Sequence, residues 1–372
     1  MITVREVSSK RDQKEFLDFP LRLYKNEPNF VPPLYGDEKK IFREDYIYYD
    51  TSEAVYYIAE ENGETVGRIS GILQKASNEK RGEKRIRFTR FDAVNRQEVA
   101  DALFAAVEDW GRAKGMTEIC GPLGFSDLER EGLLVEGFEY LATFEEQYNY
   151  AYYGKLIENC GYAKEVDWTE SRIKPDPASI EQMDRVAEKL MERYKLHFGP
   201  AKNVNDFINK YADKFFELID KSYAKLYGTV DFTDGMKKML IDNFKLIIKL
   251  DYVGILLDEN EAPVAMGLCF PSIAEALVGT GGHLTPLTLI RLLKAINHPK
   301  IIDLGLIGVD PSWANRGVSV VICAMLNHMM LDKKLEYAET NLNLEDNYAI
   351  NNQWKRFDRF IHKRRRSYLK QL

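Results

Sequence analysis

The fold is decided by one stretch of the sequence, residues 302–319, which runs IDLGLIGVDPSWANRGVS. Its first part, 302–309, is apolar apart from Asp303 and predicts a buried strand. A loop containing Gly317 follows, and an apolar-faced helix is predicted over 318–331. A strand that runs through such a loop into a helix N-terminus gathers free backbone N–H groups around one point. The stretch therefore predicts an anion site suited to a phosphate or pyrophosphate.

The loop lacks two common phosphate-binding motifs. It contains neither G-x-x-x-x-G-K-[ST], which marks a P-loop, nor G-x-G-x-x-G, which marks a dinucleotide site. Gly317 would allow a ligand to approach the backbone closely, and Arg316 adds a positive charge. An ordinary turn between a strand and a helix is the alternative interpretation.

The same order of predicted elements occurs twice. The first half predicts a hairpin over 55–73 around Asn62-Gly63, then a strand at 86–91, a helix at 97–114 and a strand at 117–120. The second half predicts helices at about 179–195, 204–226 and 233–248, a hairpin at 252–270, a helix at 285–297, strands at 301–309 and 337–344, and helices at 318–331 and 347–357. This order indicates an internal duplication of about 170 residues, with a linker at 174–177.

Composition narrows the class of protein. The 372 residues are 45% hydrophobic and 30% charged, which excludes a disordered chain. A net charge of −6 argues against a dedicated nucleic-acid-binding protein. The four cysteines form no C-x-x-C pair, which excludes a zinc ribbon and fits a reducing compartment. No signal-peptide pattern and no long apolar run occur, so we expect a cytoplasmic protein without a membrane span.

The C-terminal residues 355–372 are strongly basic, with eight Lys or Arg against Asp358. Such a segment could bind RNA, an anionic membrane or the phosphate of a coenzyme. Its charges alternate with Ile361, Tyr368 and Leu369. The preferred interpretation is therefore an edge strand with one solvated face, whose charges oppose pairing with another chain.

Motifs for other chemistries are missing from the sequence. The five histidines show no metal-ligand spacing such as H-E-x-x-H, and no G-x-S-x-G nucleophile elbow occurs. The segment 279–283, Gly-Thr-Gly-Gly-His, is glycine-rich but lacks a strand and helix on either side. We therefore expect no metal site and a simple turn around His283.

The loop resembles the core motif of the GNAT acyl-CoA N-acyltransferases, V-x-P-x-[YW]-[QR]-G-[KR]-G-[IV]-[GA]. The matching residues are Val309, Pro311, Trp313, Arg316, Gly317 and Val318, with Ser319 as a near match. Ala314 replaces the usual Gln or Arg, and Asn315 replaces a Gly. Asn347, which lies 30 residues after Gly317, corresponds to a helix-opening Asn of the family.

The resemblance implies an α/β (α+β) fold with two tandem GNAT-like domains, each a mixed, mostly antiparallel sheet flanked by helices. Residues 1–170 would form a degenerate domain, since the equivalent loop at 91–97 has neither Gly nor Pro. Residues 171–372 would form the domain that binds acetyl-CoA or another acyl-CoA. The implied contacts are Leu306, Ile307, Gly308 and Val309 for pantetheine, Asn315, Arg316, Gly317, Val318, Ser319 and Val320 for pyrophosphate, and Asn347.

The implied reaction is direct attack of an amine, on a small molecule or a peptide, on the CoA thioester. Many family members place a general-acid Tyr seven residues after the helix Asn, where this chain has Trp354. Tyr348, Glu339 and Glu345 are the candidate replacements, and the two glutamates are also candidate general bases. Either glutamate could instead be structural or solvated.

Three other functions and one assembly state stay open from the sequence. The least favoured function is a purely structural protein–protein module, since the match of the loop to the motif would then be accidental. A non-catalytic acyl-CoA sensor is suggested by Trp354 and Ala314. A transferase that uses an aminoacyl-tRNA donor on the same fold is suggested by the basic tail, although the acidic remainder of the chain argues against it. A homodimer is compatible with the sequence.

Overall fold

The computed structural model describes residues 1–245 and 247–372. The strands are β1 (Thr3–Glu6), β2 (Ser52–Glu61), β3 (Glu64–Gln74), β4 (Arg85–Ala93), β5 (Glu118–Gly121), β6 (Leu133–Glu136), β7 (Ala163–Pro175), β8 (His197–Phe198), β9 (Val253–Leu257), β10 (Pro263–Pro271), β11 (Ile301–Val309), β12 (Tyr337–Thr340), β13 (Asn343–Leu344) and β14 (Phe357–Gln371).

The helices are α1 (Lys10–Leu23), α2 (Tyr35–Glu38), α3 (Lys75–Arg81), α4 (Gln97–Ala113), α5 (Tyr152–Asn159), α6 (Pro177–Tyr194), α7 (Val204–Tyr223), α8 (Asp234–Phe244), α9 (Ala274–Leu277), α10 (Pro286–Asn297), α11 (Ser319–Asp332) and α12 (Tyr348–Trp354). Short 3₁₀ turns lie at Lys39–Phe42, Ile47–Asp50, Leu250–Tyr252 and Pro311–Trp313.

The chain forms two compact units that are discontinuous in sequence. The first comprises Met1–Trp168, Ile273–Leu292 and Lys363–Leu372, and the second comprises Thr169–Ser272 and Leu293–His362. The assignment of 1–170 and 171–372 to two GNAT-like domains stays a prediction.

The sheet of the first unit has the order β1-β2-β3-β4-β5-β14, and β6 also pairs with β14. All of these neighbours are antiparallel except β4 and β5, which are parallel. Helix α4 packs directly on β3, because Gly67 leaves room for it: a Cβ atom there would lie 2.8 Å from Leu103 and 2.9 Å from Val99. Both of these α4 side chains are fully buried, as the helical pattern predicts.

The sheet of the second unit has the order β7-β12-β11-β10-β9-β8. Its neighbours are antiparallel except β11 and β12, which are parallel. Its core contains Met183 and Ala187 of α6, Val321 of α11, and Ile302 and Ala338 of the sheet. Each unit thus has a hairpin, a third antiparallel strand, a helix and a parallel fourth strand, which confirms the repeated order predicted from the sequence.

The basic C-terminal segment is not a solvated edge strand, and that prediction was wrong. In the first unit, β14 has hydrogen-bonded strands beside it, and the side chains of Lys363 and Arg365 are buried. Arg366 donates two hydrogen bonds to the carboxylate of Asp167 at 2.8 and 3.1 Å. Buried carboxylates therefore neutralise cations that the sequence alone suggests are exposed.

The stretch 174–177, which we expected to be a linker, is regular structure. Pro175 ends β7, and the carboxylate of Asp176 caps α6 by accepting a hydrogen bond from the N–H of Ala178. In the part of the chain that the structure describes, no helix has the length and apolar character required to cross a membrane. The same residues bring together no cluster of three or more His, Cys, Asp or Glu side chains that could hold a metal ion.

Candidate functional site

Strand β11 is paired along only part of one edge. On one side it pairs with β10 throughout, from Ile302 to Val309, with a register shift near Gly305. On the other side its pairing with β12 ends at Leu304↔Thr340. Strand β12 ends at this point, where the hydroxyl of Thr340 accepts a hydrogen bond from the N–H of Ser171. In the described chain, residues 306–309 therefore have a strand on one side only.

The hydroxyl of Tyr223, at the end of α7, contacts this unpaired edge. It donates a hydrogen bond to the carbonyl of Ile307 at 3.0 Å and accepts one from the N–H of the same residue at 3.3 Å. One phenol thus satisfies the donor and the acceptor that a neighbouring strand or an extended amide would satisfy. Tyr223 is half-buried at this edge.

The loop after β11 is built by local hydrogen bonds. The carboxylate of Asp310 accepts from the N–H of Ser312 at 2.8 Å and from its hydroxyl at 2.6 Å. Asn315 then has φ 64° and Gly317 has φ 78°. Asparagine tolerates this left-handed conformation better than most residues. Asn315 thus stands where the GNAT motif has glycine and keeps a conformation that glycine favours.

The end of this loop presents backbone N–H groups next to a cation. Within the described chain, the N–H groups of Gly317 and Val318 have no hydrogen-bond acceptor, and α11 has no capping side chain. The guanidinium of Arg316 is exposed and lies 4.7 Å from the ring centre of Trp313, which fixes its position. Free N–H groups, the helix dipole and an arginine favour an anion at this point.

Glu339 is buried on β12, where its carboxylate contacts two other polar side chains. Its Oε1 shares a hydrogen bond with Nε2 of His362 at 2.8 Å, and its Oε2 lies 3.5 Å from Nε of Arg172. In the sheet it pairs with Asp303 of β11, one residue before the pairing of the two strands ends. Glu339 therefore lies close to the point where the edge of β11 becomes free.

The other two catalytic candidates have different surroundings. Asn347 caps α12, since its Oδ1 accepts from the N–H of Ile350 at 3.3 Å. Tyr348 follows it and is 74% exposed, and Glu345 is also exposed. Trp354, at the position of the family tyrosine, is buried in the core and donates from Nε1 to Oδ1 of Asn343 at 2.5 Å. The tryptophan is thus a packing residue.

No cysteine of this unit is suited to act as a nucleophile. Burial raises the pKa of Cys269 to about 12, and it raises the pKa of Cys323 to about 12 as well. Each thiol therefore stays protonated at neutral pH.

In the first unit, tyrosine side chains bond to the edge of β4 that corresponds to the edge of β11. The parallel pairing of β4 with β5 ends at Arg87↔Cys120. Beyond it, the N–H of Ala93 donates to the hydroxyl of Tyr153 at 3.0 Å, and its carbonyl accepts from the hydroxyl of Tyr152 at 2.8 Å. Tyr153 is fully buried, and burial raises its pKa well above the ordinary value. Two tyrosines, one of them fully buried, thus bond to this edge, where the second unit has the half-buried Tyr223.

Comparison with known proteins gives two curated relatives, and no protein-family model matches the chain. Protein YghO of Escherichia coli (strain K12) is 27% identical over 99% of this chain and 95% of its own length. The bacterial ceramide synthase of Caulobacter vibrioides (strain NA1000 / CB15N) is 26% identical over 78% of this chain and 76% of its own length.

Solved structures decide the fold. The tandem GNAT protein from the clavulanic acid biosynthesis pathway matches with a TM-score of 0.55 and 13% identity, over 100% of this chain and 98% of its own. The chain has a tandem GNAT fold. A GCN5-related N-acetyltransferase from Sphaerobacter thermophilus matches with a TM-score of 0.53 and 10% identity, over 100% and 95% of the two chains. The fold class predicted from the loop motif is confirmed.

Within this tandem GNAT fold, one continuous segment brings together most of the predicted CoA contacts. Residues 306–309 form the free edge, and residues 315–320 form the loop and the start of α11. Sequence reasoning did not find Tyr223, His362 or Arg172, because their partners lie far away in the chain. A lone tyrosine near the end of a helix, or a histidine within a basic strand, carries no spacing signal.

Proposed function

We propose that the second unit binds acyl-CoA and transfers the acyl group, with acetyl as the first to test, to an amine. The observation that carries this proposal is the edge of residues 306–309, which has no neighbouring strand in the described chain and leads directly to the free N–H groups of Gly317 and Val318. An extended amide-containing arm can pair with the edge, and a pyrophosphate can accept from the N–H groups. Acyl-CoA carries both groups in this order.

The reaction would proceed by direct attack. The amine nitrogen bonds to the thioester carbonyl carbon, the C–S bond then breaks, and CoA leaves as a thiolate that takes a proton. Holding both reactants in position supplies most of the rate. We assign Glu339 the removal of the ammonium proton through water, because it lies beside the end of the β11–β12 pairing. Tyr348, which is exposed at the start of α12, is the candidate proton donor to the thiolate.

The acceptor class is narrowed by one relative. A ceramide is an N-acylated long-chain amino alcohol, and one relative is named as a ceramide synthase. We propose a long-chain amine as the first acceptor class to test, before small polar amines and peptide amines. The four cysteines form no C-x-x-C pair, which supports a cytoplasmic location.

Two alternative functions, the acyl-CoA sensor and the aminoacyl-tRNA-dependent transferase, differ in the support they have. The buried Trp354 favours an acyl-CoA sensor, since it removes the usual proton donor. The aminoacyl-tRNA alternative loses support, because Arg366 and Lys370 of the basic tail bind the carboxylates of Asp167 and Glu108.

Thermal unfolding with acetyl-CoA, free CoA, ATP and NAD tests the donor site. A ligand at about 100 times its dissociation constant adds about 2.7 kcal/mol, which raises Tm by several degrees. We expect a rise with the CoA compounds only, and its loss in Gly317→Asp, which places a carboxylate among the free N–H groups. Gly279→Asp is the matched control, because Gly279 has φ 73° and open space around it in the first unit.

A CoA-dependent rise that survives in Gly317→Asp, or no rise in the wild-type protein, would contradict the proposed site. If acetyl-CoA binds but none of the tested long-chain, small polar or peptide amines causes release of CoA, the function would be that of an acyl-CoA sensor.

A further inference from the structure

Helix α10 exposes its apolar side chains and buries a polar one. Leu284 before the helix, and Leu287, Leu289, Ile290 and Leu293 within it, are between 45% and 64% exposed. Thr288 is only 3% exposed and bonds to the hydroxyl of Thr285 at 2.9 Å. A helix on the surface of a soluble domain normally shows the opposite arrangement.

The exposed side chains form one continuous surface. Successive residues turn by about 100° around a helix axis, so Leu287, Leu289, Ile290 and Leu293 fall within less than half of the circumference. We call these four residues the α10 apolar face. Exposed apolar surfaces of this kind mark interaction sites.

Each end of the helix has contacts within its own unit. His283 packs against the ring of Tyr35 with ring centres 4.4 Å apart, and Thr285 caps the first turn by accepting from the N–H of Thr288 at 3.2 Å. At the other end, Nζ of Lys249 donates to the carbonyl of Ile296 at 3.0 Å. The contacts of His283 and Thr285 thus hold the first turn of α10 in the first unit, where Leu287, Leu289 and Ile290 are exposed.

The segment of chain that contains this face carries charge of one sign, although Lys300 lies 3.7 Å from the carboxylate of Glu336. Residues 276–302 contain no Asp or Glu in a chain whose net charge is −6. They contain Arg291, Lys294 and Lys300, and all three side chains are exposed. A surface that combines leucines with cations is complementary to the headgroups and acyl chains of an anionic bilayer.

The same charge argues against a second copy of this chain as the occupant. A symmetric dimer places the same patch on both sides of its interface. Arg291 and Lys294 of the two copies would then lie close together, and repulsion between like charges opposes association. At 12 residues the helix is too short to span a bilayer, but it can lie in its surface.

We propose that the α10 apolar face docks the protein onto the surface of membranes that contain anionic lipids. Leu287, Leu289, Ile290 and Leu293 enter the boundary between headgroups and acyl chains, and Arg291 and Lys294 contact the headgroup phosphates. The inference rests on α10 alone and does not depend on acyl-CoA binding.

Vesicle sedimentation without acyl-CoA tests this docking. The full-length protein is mixed with sucrose-loaded vesicles of phosphatidylcholine, either pure or with about 30% phosphatidylglycerol. We expect sedimentation with the anionic vesicles, a decrease at about 0.5 M salt, and much weaker binding to the pure phosphatidylcholine vesicles. The double variant Leu287→Gln/Ile290→Gln should lower the partition coefficient at least about tenfold, since two leucine-sized side chains no longer enter the bilayer.

Leu331→Gln is the matched control. Leu331 lies on α11 and is 48% exposed, but it does not belong to the α10 apolar face. Its substitution should leave the partition coefficient unchanged within about twofold. Absence of sedimentation, or equal sedimentation of the double variant and the wild-type protein, would overturn the proposal. So would a concentration-dependent dimer that the double variant abolishes, if vesicles are not bound.

Discussion

Asn315 shows how a single residue preserves the loop despite a departure from the GNAT motif. Its φ of 64° needs a residue that tolerates the left-handed region. We expect Asn315→Val to destabilise the protein by about 1–2 kcal/mol and to weaken CoA binding, whereas Asn315→Gly keeps both. Urea unfolding and a CoA titration measure the two effects. Lys334 lies just after α11 and has φ 53°. Lys334→Val is the control, and it should lower the free energy of unfolding by a similar amount without weakening CoA binding.

Trp354 contributes to stability and not to proton transfer. Trp354→Phe leaves Oδ1 of Asn343 without its donor and removes part of a buried side chain. We expect a loss of about 2–3 kcal/mol in the free energy of unfolding, with kcat unchanged within about twofold. A large decrease in kcat at unchanged CoA affinity would instead assign the indole a place in the reaction.

Glu339 is the carboxylate whose substitution we expect to lower kcat. Glu339→Gln keeps the shape of the side chain, so CoA affinity should stay within about threefold while kcat decreases about 100-fold. Glu345→Gln, at an exposed position, is the comparison that separates the two candidates. A wild-type kcat in Glu339→Gln would remove Glu339 from the mechanism.

At the scale of elements, the free edge of β11 is the feature that a ligand would complete. Tyr223 occupies its amide positions at Ile307. If pantetheine pairs there, the hydroxyl must leave, and Tyr223→Phe removes its two hydrogen bonds in advance. We expect the dissociation constant for CoA to fall about three- to tenfold, as measured by calorimetry. A weaker affinity in Tyr223→Phe would mean that the hydroxyl contacts the ligand itself.

Strand β14 gives a prediction with a defined pH dependence. Burial opposes the charge on Asp167, but hydrogen bonds from Arg366 and Lys164 outweigh it and hold the pKa of Asp167 below its usual value. This stabilisation is present above the unfolded pKa of about 3.9 and is lost as pH falls through the lower folded pKa. Arg366→Gln should cost about 2 kcal/mol at pH 7 and less below about pH 4. Urea unfolding at both pH values measures it, and a cost independent of pH would contradict this assignment.

The elements differ in how far the sequence predicts them. The hairpins β2–β3 and β9–β10 follow from local turns and alternation, so local reasoning suffices. The environment of β14 does not, because the carboxylates that neutralise its cations lie about 200 residues away, as Asp167 does from Arg366. The resemblance implied the pantetheine contacts at 306–309, but the tyrosine that bonds to this edge depends on how α7 packs.

In the whole molecule, two units with the same order of elements differ in the tyrosines at the strand edge and in the loop that follows it. Tyr152 and Tyr153 bond to the edge of β4 in the first unit, and Tyr153 is fully buried there. The first unit also lacks the loop motif. We therefore expect a single acyl-CoA site per chain, in the second unit.

The most direct test is the stoichiometry of acetyl-CoA binding by isothermal titration calorimetry. We expect one site per chain in the wild-type protein, none in Gly317→Asp, and one in Gly279→Asp. Two sites per chain, or a site that persists in Gly317→Asp, would contradict this expectation.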